Sequence, residues 1–329
     1  MTRTLLFLSA DDVRRALPMR EAVEVMKSAF VELSAGHAVV PLRSHVELPG
    51  HRRCLLLMPC YSPSASALSV KTVTLFDDNA SYGLPRIHSL LTLYDGTTGE
   101  PQAVMDGAAV TALRTGAASG AATDLLARLH AATVAILGAG PQARTQLEAM
   151  CAVRTIRHAR VFSPRRERAE AFAREASAAF GIPVTAAPTA AEALRDADIV
   201  CAATSSRTPV FDDDDLALGA HINGVGSYQP AMQEVPAETV FRARVVVDHR
   251  ESVLAEAGDL LIPIQQGRWS ADRIVGELGE IISGQRQGRA SPHDITFFKS
   301  VGVAIQDLHA ALHILAKARS LQLGTPLGM

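Results

Sequence analysis

The apolar positions of the first third of the chain begin with a helical repeat and then change to a β pattern. The repeat starts beyond Pro18, alternates spacings of four and three residues, and ends near Gly36; its members are Met19, Val23, Met26, Phe30 and Leu33. This period predicts an amphipathic helix, and Ser9 with Asp12 indicates a capping box at an earlier helix start. Residues 39–95 contain short β-rich runs, at 53–58, 68–76 and 87–94, separated by clusters of Pro, Gly, Asn and Asp. An antiparallel or mixed sheet is therefore expected there.

Two more helices are predicted, one in the middle of the chain and one at its end. Residues 105–128 are rich in Ala, Gly, Ser and Thr, so this helix can pack closely against its neighbours, and Arg114 lies within it. The last helix, residues 301–321, is apolar at Val303, Leu308, Leu312 and Leu315. Because separation in sequence does not limit its reach, this helix can return to pack on the first domain.

From Thr133 onward, apolar strands alternate with helices. The strands are expected at residues 134–137, 160–163, 184–187, 199–203, 222–225 and 245–248. Such alternation is typical of an α/β domain, so we predict six parallel strands in one doubly wound sheet.

A dinucleotide fingerprint follows the first of these strands. Gly138, Gly140 and Ala143 have the G-x-G-x-x-A spacing, directly after a buried apolar run and at the start of a helix. Gly138 permits a tight turn, Gly140 lets the backbone approach a pyrophosphate, and Ala143 keeps the helix close to the strand. The predicted cofactor loop is Gly138, Ala139, Gly140, Pro141, Gln142 and Ala143.

The end of the second strand of this domain bears on the choice of cofactor. An acid there usually accepts from the ribose 2′-hydroxyl of NAD, but this chain has Ser163, followed by Arg165 and Arg166. Guanidinium groups beside a hydroxyl suit a 2′-phosphate, so we predict NADPH in preference to NADH, with Arg165 or Arg166 making the main contact. The alternative is that these arginines only decorate an exposed helix start.

Composition narrows the class of protein. The 329 residues, 48% of them apolar, suffice for two domains, and a net charge of -2 gives no electrostatic case for binding nucleic acid or an anionic membrane. The four cysteines, Cys54, Cys60, Cys151 and Cys201, have no paired spacing, and the apolar run 5–8 is too short for a signal peptide or a membrane span. We therefore expect reduced thiols in a cytoplasmic protein.

Three cations of the first domain could carry chemistry. Arg43, Lys71 and Arg114 lie in apolar or small-residue settings, where a charge is costly unless it is paired. Each could form a salt bridge. Taken together, with no acid within three residues of any of them, they indicate a site for an anion, most simply a substrate carboxylate.

Two other polar groups carry no predicted chemistry. His309 and His313 are four residues apart on the last helix but have no third ligand in the pattern, so we predict no metal site there. The acidic run 212–215 is interpreted as a solvated helix start, where carboxylates suit the positive end of the helix dipole.

From Pro41 to its end, the sequence resembles the ornithine cyclodeaminase and mu-crystallin family. The matching motifs are Arg43, Met58-Pro59, the Lys71 strand with Gly83-Leu84-Pro85, Thr111-Ala112-Leu113-Arg114-Thr115, Gly138-Ala139-Gly140-Pro141-Gln142-Ala143, Ala203-Thr204-Ser205, Asn223-Gly224-Val225-Gly226, Glu256-Ala257-Gly258-Asp259-Leu260 and Lys299-Ser300-Val301-Gly302. Together these motifs are highly specific and cover nearly the whole chain.

The resemblance implies a homodimer of two-domain subunits. A smaller α+β domain, residues 1–117 with 303–329, is expected to bind substrate and form the subunit contact, and residues 118–302 form the Rossmann domain. Arg43, Lys71 and Arg114 are implied to bind the substrate carboxylate beside the nicotinamide. Further implied cofactor contacts are Thr115, Ala203, Thr204, Ser205, Asn223, Val225 and Ser300.

Three departures from the cyclodeaminase pattern change the expected reaction. Cyclodeaminases of this family carry an aspartate where this chain has Tyr228, a glutamate where it has Leu56, and a lysine where it has Met232. The aspartate handles protons and the glutamate neutralises the distal ammonium of a diamine. The segment 226–230 instead is similar to the cyclic-imine reductases of the family.

The leading hypothesis is therefore an NAD(P)H-dependent reductase of cyclic ketimine carboxylates in proline and amino-acid metabolism. It would convert Δ1-pyrroline-2-carboxylate to L-proline and, as a second reaction, Δ1-piperideine-2-carboxylate to L-pipecolate. Lys71 could supply or relay the proton, as could water or Ser227. The alternatives are ornithine cyclodeamination, an alanine or N-alkyl amino acid dehydrogenase, and a crystallin-like binding protein without turnover.

Overall fold

The computed structural model describes residues 4–48 and 53–328. These residues form two compact units, one of residues 4–48, 53–114 and 303–328 and one of residues 115–302.

The first unit is built on a mixed sheet. Its elements before the crossing helix α3 are β1 (Thr4–Leu8), α1 (Ala10–Ala16), α2 (Met19–Ser34), β2 (Ser44–Glu47), β3 (Arg53–Ser62), β4 (Ala67–Phe76), β5 (Ile87–Asp95) and β6 (Pro101–Asp106), followed by α3 (Gly107–Leu126). The predicted capping box is confirmed, with Ser9 accepting from the Asp12 amide, and so is the amphipathic helix, whose apolar repeat is buried in α2. The helix predicted from residue 105 begins at Gly107, because Met105 pairs with Leu91 as part of β6.

The second unit begins within α3 and contains the parallel sheet. Its elements are β7 (Thr133–Leu137), α4 (Pro141–Val153), β8 (His158–Phe162), α5 (Arg166–Phe180), β9 (Val184–Ala186), α6 (Ala190–Leu194), β10 (Ile199–Ala202), β11 (His221–Gly224), α7 (Ala237–Arg242), β12 (Arg244–Val247), α8 (Arg250–Glu256), α9 (Gly258–Gln265), β13 (Gly276–Glu277), α10 (Leu278–Ile282) and β14 (Thr296–Lys299). The chain then returns to the first unit as α11 (Ala304–Leu321) and β15 (Thr325–Gly328).

The sheet of the first unit has seven strands in the order β15-β1-β6-β5-β4-β3-β2. Among the described strands, only β1 and β6 pair in parallel within it. The antiparallel or mixed sheet expected for residues 39–95 is confirmed, and β2 to β5 pair antiparallel. Alternate residues of β3, from Leu56 to Ser62, are buried, and α11 packs against β3, β4 and β5. One face of the sheet is thus covered by α11.

The sheet of the second unit is parallel and has eight described strands, in the order β13-β12-β14-β11-β10-β7-β8-β9. The doubly wound fold is confirmed, but the predicted count of six strands is wrong, because β13 and β14 were not expected. Strand β14 is only four residues long and ends in Lys299. Its sequence therefore lacks the continuous apolar run that is typical of a strand buried on both faces. The order reverses between β7 and β10, and ligands of such sheets bind beyond the carboxyl ends of the strands at this point.

The last helix begins three residues later than residue 301. Val301 and Gly302 donate their backbone N–H groups to Asp248, at 2.9 and 2.8 Å, which holds them outside the helix. The Gln306 side chain instead accepts from the Val303 N–H at 2.9 Å and caps the start of α11.

Candidate functional site

Two of the predicted cations meet a carboxylate that the sequence pattern does not single out. Lys71 lies on β4, Arg114 on α3, and Asp307 in the first turns of α11. Lys71 Nζ lies 2.7 Å from Asp307 Oδ2, and Arg114 Nε donates to Asp307 Oδ1 at 3.2 Å. All three side chains are buried. The salt-bridge interpretation is therefore confirmed for Lys71 and Arg114.

Gln306 extends this cluster and leaves one donor without a partner. Its Oε1 accepts from Arg114 Nη1 at 3.0 Å and from the backbone N–H of Val303 at 2.9 Å. Two donors on one oxygen fix the orientation of the amide, because the reverse orientation would direct N–H groups at N–H groups. Gln306 Nε2 is fully buried and has no hydrogen-bond acceptor among the described residues. An unpaired buried donor beside Arg114 suits the oxygen of an anionic ligand.

The surroundings of Lys71 bring its pKa close to neutral pH, so its charge depends on pH in this range. Burial lowers the pKa of Lys71 to about 7; the Asp307 carboxylate opposes this shift, while Arg114 and Arg43 add to it. Arg43, half-buried just before β2, is thus close enough to act on Lys71 through its charge. The structure therefore brings the three predicted cations into one electrostatic cluster.

Asp307 gives a weak signal in the sequence. It lies between Val303 and Leu308 on the apolar stripe of the last helix, where a carboxylate needs a cationic partner. Nothing in the spacing indicates that this partner comes from β4 and α3.

Apolar side chains share the sheet face of Lys71. Met58 pairs directly with Lys71 in the register of β3 and β4, and Leu56 is two residues along on the same face. Both are buried. Tyr228 and Met232, the other two departures from the cyclodeaminase pattern, belong to the second unit.

The two histidines of α11 contact glutamates of α2. His309 Nε2 is 2.9 Å from Glu32, and His313 Nε2 is 3.0 Å from Glu21. Burial lowers the pKa of His309. The acidic run forms a short 3-10 helix in which Asp213 accepts from Arg242 and Thr239.

The fingerprint adopts the geometry that a pyrophosphate requires. Gly138 has φ +105°, and a Cβ at this position would lie 2.6 Å from the carbonyl oxygen of Ala203. Gly140 is the N-cap of α4, and the space around its Cβ position is open for 4 Å. Ala143 is fully buried against the sheet. The open backbone at Gly140 and the positive end of the α4 dipole therefore fit an anionic cofactor.

A buried carboxylate fixes the loops beyond β10 and β11. Glu234 accepts from the backbone N–H of Thr204 at 2.5 Å, of Gly226 at 2.7 Å and of Ser227 at 2.9 Å. Burial raises the pKa of Glu234, yet both of its oxygens face N–H donors, which favours the ionised form. Gly226 has no room for a side chain, since a Cβ would lie 2.1 Å from the Thr204 carbonyl oxygen.

Asp259 in turn holds the segment that carries Glu234. Its Oδ1 accepts from the backbone N–H groups of Glu234 and Val235, at 2.6 and 3.0 Å. Its Oδ2 forms an ion pair with Lys299 Nζ at 2.9 Å, and both side chains are fully buried. This network links the carboxyl ends of β10, β11 and β14, where the sheet is expected to bind its ligand.

Two other residues predicted to contact the cofactor already form side-chain hydrogen bonds within the protein. The Asn223 side chain is buried and donates to Thr123 Oγ1 at 2.9 Å, and the Ser300 hydroxyl donates to Asp248 at 2.7 Å. The remaining predicted contacts, Thr115, Ala203, Ser205 and Val225, lie in the same unit.

The two arginines predicted to contact the cofactor after β8 differ in the partners of their side chains. Arg166 donates to Glu170 at 2.8 Å, while Arg165 is the exposed N-cap residue of α5 and its backbone N–H lies 3.4 Å from Ser163 Oγ.

The fold and these two sites define a protein whose first unit carries a buried cationic cluster and whose second unit is of the Rossmann dinucleotide-binding type. The chain belongs to the ornithine cyclodeaminase/mu-crystallin family, whose model matches residues 3–322.

Three relatives are similar over nearly their whole length. A Δ1-pyrroline-2-carboxylate reductase of Bacillus cereus is 39% identical, with 95% of this chain and 97% of the relative covered. The structure of Thermococcus litoralis Δ1-pyrroline-2-carboxylate reductase in complex with NADH and L-proline is 41% identical, with 98% and 100% covered and a TM-score of 0.94. The dimer of an archaeal alanine dehydrogenase with bound NAD is 31% identical, with 99% and 100% covered and a TM-score of 0.93.

Two further findings concern the helices and the cysteines. None of the helices in the described part of the chain has the length and apolar character that crossing a bilayer requires. The four cysteines are free thiols, and burial raises the pKa of Cys60 to about 12.

We predict that Glu234→Gln weakens the binding of reduced nicotinamide cofactor at least about tenfold, because one side of the new amide would face N–H groups instead of accepting from them. The measurement is a fluorescence titration of the protein with NADH and NADPH. Glu238→Gln, at an exposed glutamate four residues away that pairs with Arg268, is the matched control and should bind like the parent. Unchanged affinity in Glu234→Gln would show that this carboxylate does not shape the cofactor site.

Proposed function

We propose that this protein is an NAD(P)H-dependent reductase of cyclic ketimine carboxylates, converting Δ1-pyrroline-2-carboxylate to L-proline and Δ1-piperideine-2-carboxylate to L-pipecolate. The observation that carries the proposal is the buried cluster in which Lys71 and Arg114 share the single carboxylate of Asp307. The similarity to two Δ1-pyrroline-2-carboxylate reductases supports the same reaction.

The charges of the cluster suit a monocarboxylate. With Lys71 protonated, two cations face one internal carboxylate, which leaves a surplus of one positive charge in a desolvated site. A substrate carboxylate would neutralise this surplus, and Gln306 Nε2 offers it a further donor. Leu56 and Met58, apolar and on the sheet face of Lys71, favour an aliphatic ring over a distal ammonium.

The reaction needs placement and one proton. Bound NAD(P)H would supply the hydride that adds to C2 of the C=N bond, and the π electron pair then passes to the ring nitrogen. A substrate already protonated at nitrogen yields the amino acid directly, whereas a neutral imine also requires a proton. Because the pKa of Lys71 is lowered by burial to about 7, its ammonium can donate that proton near neutral pH.

We assign the substrate site and the subunit contact to the first unit, and cofactor binding to the second, in a cytoplasmic homodimer. The sheet face opposite Lys71 carries Leu55 and Leu57, together with Val46 and Leu90, which are 43% and 53% exposed. An exposed apolar sheet face of this kind is typical of a subunit interface. The archaeal alanine dehydrogenase of similar fold is a dimer.

The direct test is oxidation of NADPH and NADH by the purified protein with Δ1-pyrroline-2-carboxylate, with identification of L-proline as product. Pyruvate with ammonia or methylamine tests the dehydrogenase alternative, which the similarity to alanine dehydrogenase favours, since the same cations would hold pyruvate. Ornithine with NAD tests cyclodeamination, which Leu56 and Tyr228 disfavour. Turnover of pyruvate or ornithine without reduction of the cyclic imine would reject the proposal.

Arg114→Ala is expected to lower kcat/KM for Δ1-pyrroline-2-carboxylate by a factor on the order of 10² to 10³, because the substrate carboxylate loses its guanidinium partner. Arg43→Ala should act in the same direction and, being half-buried, disturbs the fold less. Arg20→Ala, at an exposed arginine of α2, is the control and should retain parental kinetics. Near-normal turnover by folded Arg114→Ala and Arg43→Ala would remove the carboxylate site from this account.

We propose that NADPH is preferred over NADH and that Arg165 makes the main contact with its 2′-phosphate, since Arg166 already pairs with Glu170. Arg165→Ala should reduce the ratio of kcat/KM for NADPH to that for NADH about tenfold or more. Glu170→Gln, which releases Arg166, should leave this ratio unchanged or raise it. Equal use of both cofactors by the parent would contradict the assignment.

A further inference from the structure

Asp307 is the point at which the cationic cluster is held together. Its two oxygens contact different cations, Oδ2 with Lys71 Nζ at 2.7 Å and Oδ1 with Arg114 Nε at 3.2 Å. Its side chain is fully buried, so solvent does not weaken either contact. Asp307 also lies in the first turns of α11, where the helix dipole favours a negative charge.

We propose that Asp307 is a positioning residue of the ketimine reductase site, which keeps Lys71 in its ammonium form and directs Arg114 toward the substrate carboxylate. The inference rests on the proposed function in one respect, that Lys71 and Arg114 are the groups that face the substrate.

The neighbours of Lys71 show why it needs this partner. Arg114 on α3 and Arg43 before β2 both disfavour a second positive charge, and burial removes the stabilisation by water. On β3, Met58 is opposite Lys71 and carries no charge, while Cys60 stays a neutral thiol because burial raises its pKa to about 12. On β5, the residue in register is Leu91. Glu32 of α2 accepts from Ser62 and contacts His309.

Asp307 is thus the carboxylate in contact with Lys71, and its loss would leave a desolvated ammonium that the charges of Arg114 and Arg43 both disfavour. The pKa of Lys71 is therefore expected to fall when Asp307 is lost, so that Lys71 releases its proton at lower pH. The same loss would leave Arg114 tied only to the neutral Gln306 in this cluster. Two properties of the site, one of protonation and one of orientation, therefore depend on a single side chain.

The chain provides an internal comparison. Lys299 and Asp259 form a second fully buried lysine–aspartate pair, at 2.9 Å, in the other unit. Asp259→Asn removes the same charge from the same kind of pair, so it controls for the structural cost of such a substitution. It should not change the titration of Lys71.

The test is direct titration of Lys71 in the full-length protein. The sequence contains four lysines, Lys27, Lys71, Lys299 and Lys317, so 13C-lysine labelling gives few Cε resonances, and Lys71→Arg assigns the relevant one. In Asp307→Asn, the Lys71 midpoint should fall by at least about one pH unit relative to the parent. A folded group whose pKa falls loses its proton at lower pH, so the alkaline decline of kcat/KM should begin at lower pH by the same shift.

The outcomes separate this inference from the proposed function. Two results overturn the positioning role whatever the substrate is. One is a Lys71 midpoint in Asp307→Asn that stays within about 0.3 pH units of the parent's. The other is a fall of the Lys71 midpoint in Asp259→Asn that equals the fall in Asp307→Asn. Absence of imine reduction by the parent overturns the function but not the titration result. Should Asp307→Asn fail to fold, Gln306→Glu tests the claim in reverse: a second carboxylate on this turn should raise the Lys71 midpoint, and an unmoved midpoint would contradict the proposal.

Discussion

The ion pair between Lys71 and Asp307 is the interaction on which the first unit's candidate site depends. Two charges at 2.7 Å in a solvent-free interior are costly to separate, since removing one partner leaves the other uncompensated. Arg114 shares the same carboxylate, so its direction is coupled to that pair. Because the three side chains come from β4, α3 and α11, the site exists only when the last helix returns to the sheet formed by the first third of the chain.

The second unit uses a buried lysine–aspartate pair for a different purpose. There the carboxylate of Asp259 holds the backbone of residues 234–235, and Glu234 holds the loops after β10 and β11. The ionised groups fix backbone N–H donors instead of offering charge to a ligand. A cluster of two cations around one carboxylate in one unit, and carboxylates that fix loop backbone in the other, are what a charged substrate and a loop-bound cofactor would each require.

Much of the fold was predictable because local rules decide it. The period of α2, the turn at Gly138 and the alternation of strands and helices follow from side-chain spacing and backbone sterics. Strand β14 was missed because four residues ending in a lysine resemble a loop until Asp259 is placed beside Lys299. Asp307 was missed for the same reason: the value of a buried charge depends on a partner more than 190 positions away, on which sequence spacing carries no information. The roles of Arg43, Lys71 and Arg114 toward a substrate, and of the fingerprint residues toward a cofactor, remain predictions.

The central claim is that the Lys71 and Arg114 cluster binds the carboxylate of a small cyclic substrate. The most direct test is calorimetry on protein that is saturated with oxidised cofactor. Pyrrole-2-carboxylate and the isosteric pyrrole-2-carboxamide are titrated separately, because the two ligands differ in charge and hardly in shape. We expect the carboxylate to bind at least about a hundredfold more tightly than the carboxamide, and this difference to nearly disappear in Arg114→Ala. Equal affinities for the two ligands, or a preference that survives in Arg114→Ala, would contradict it.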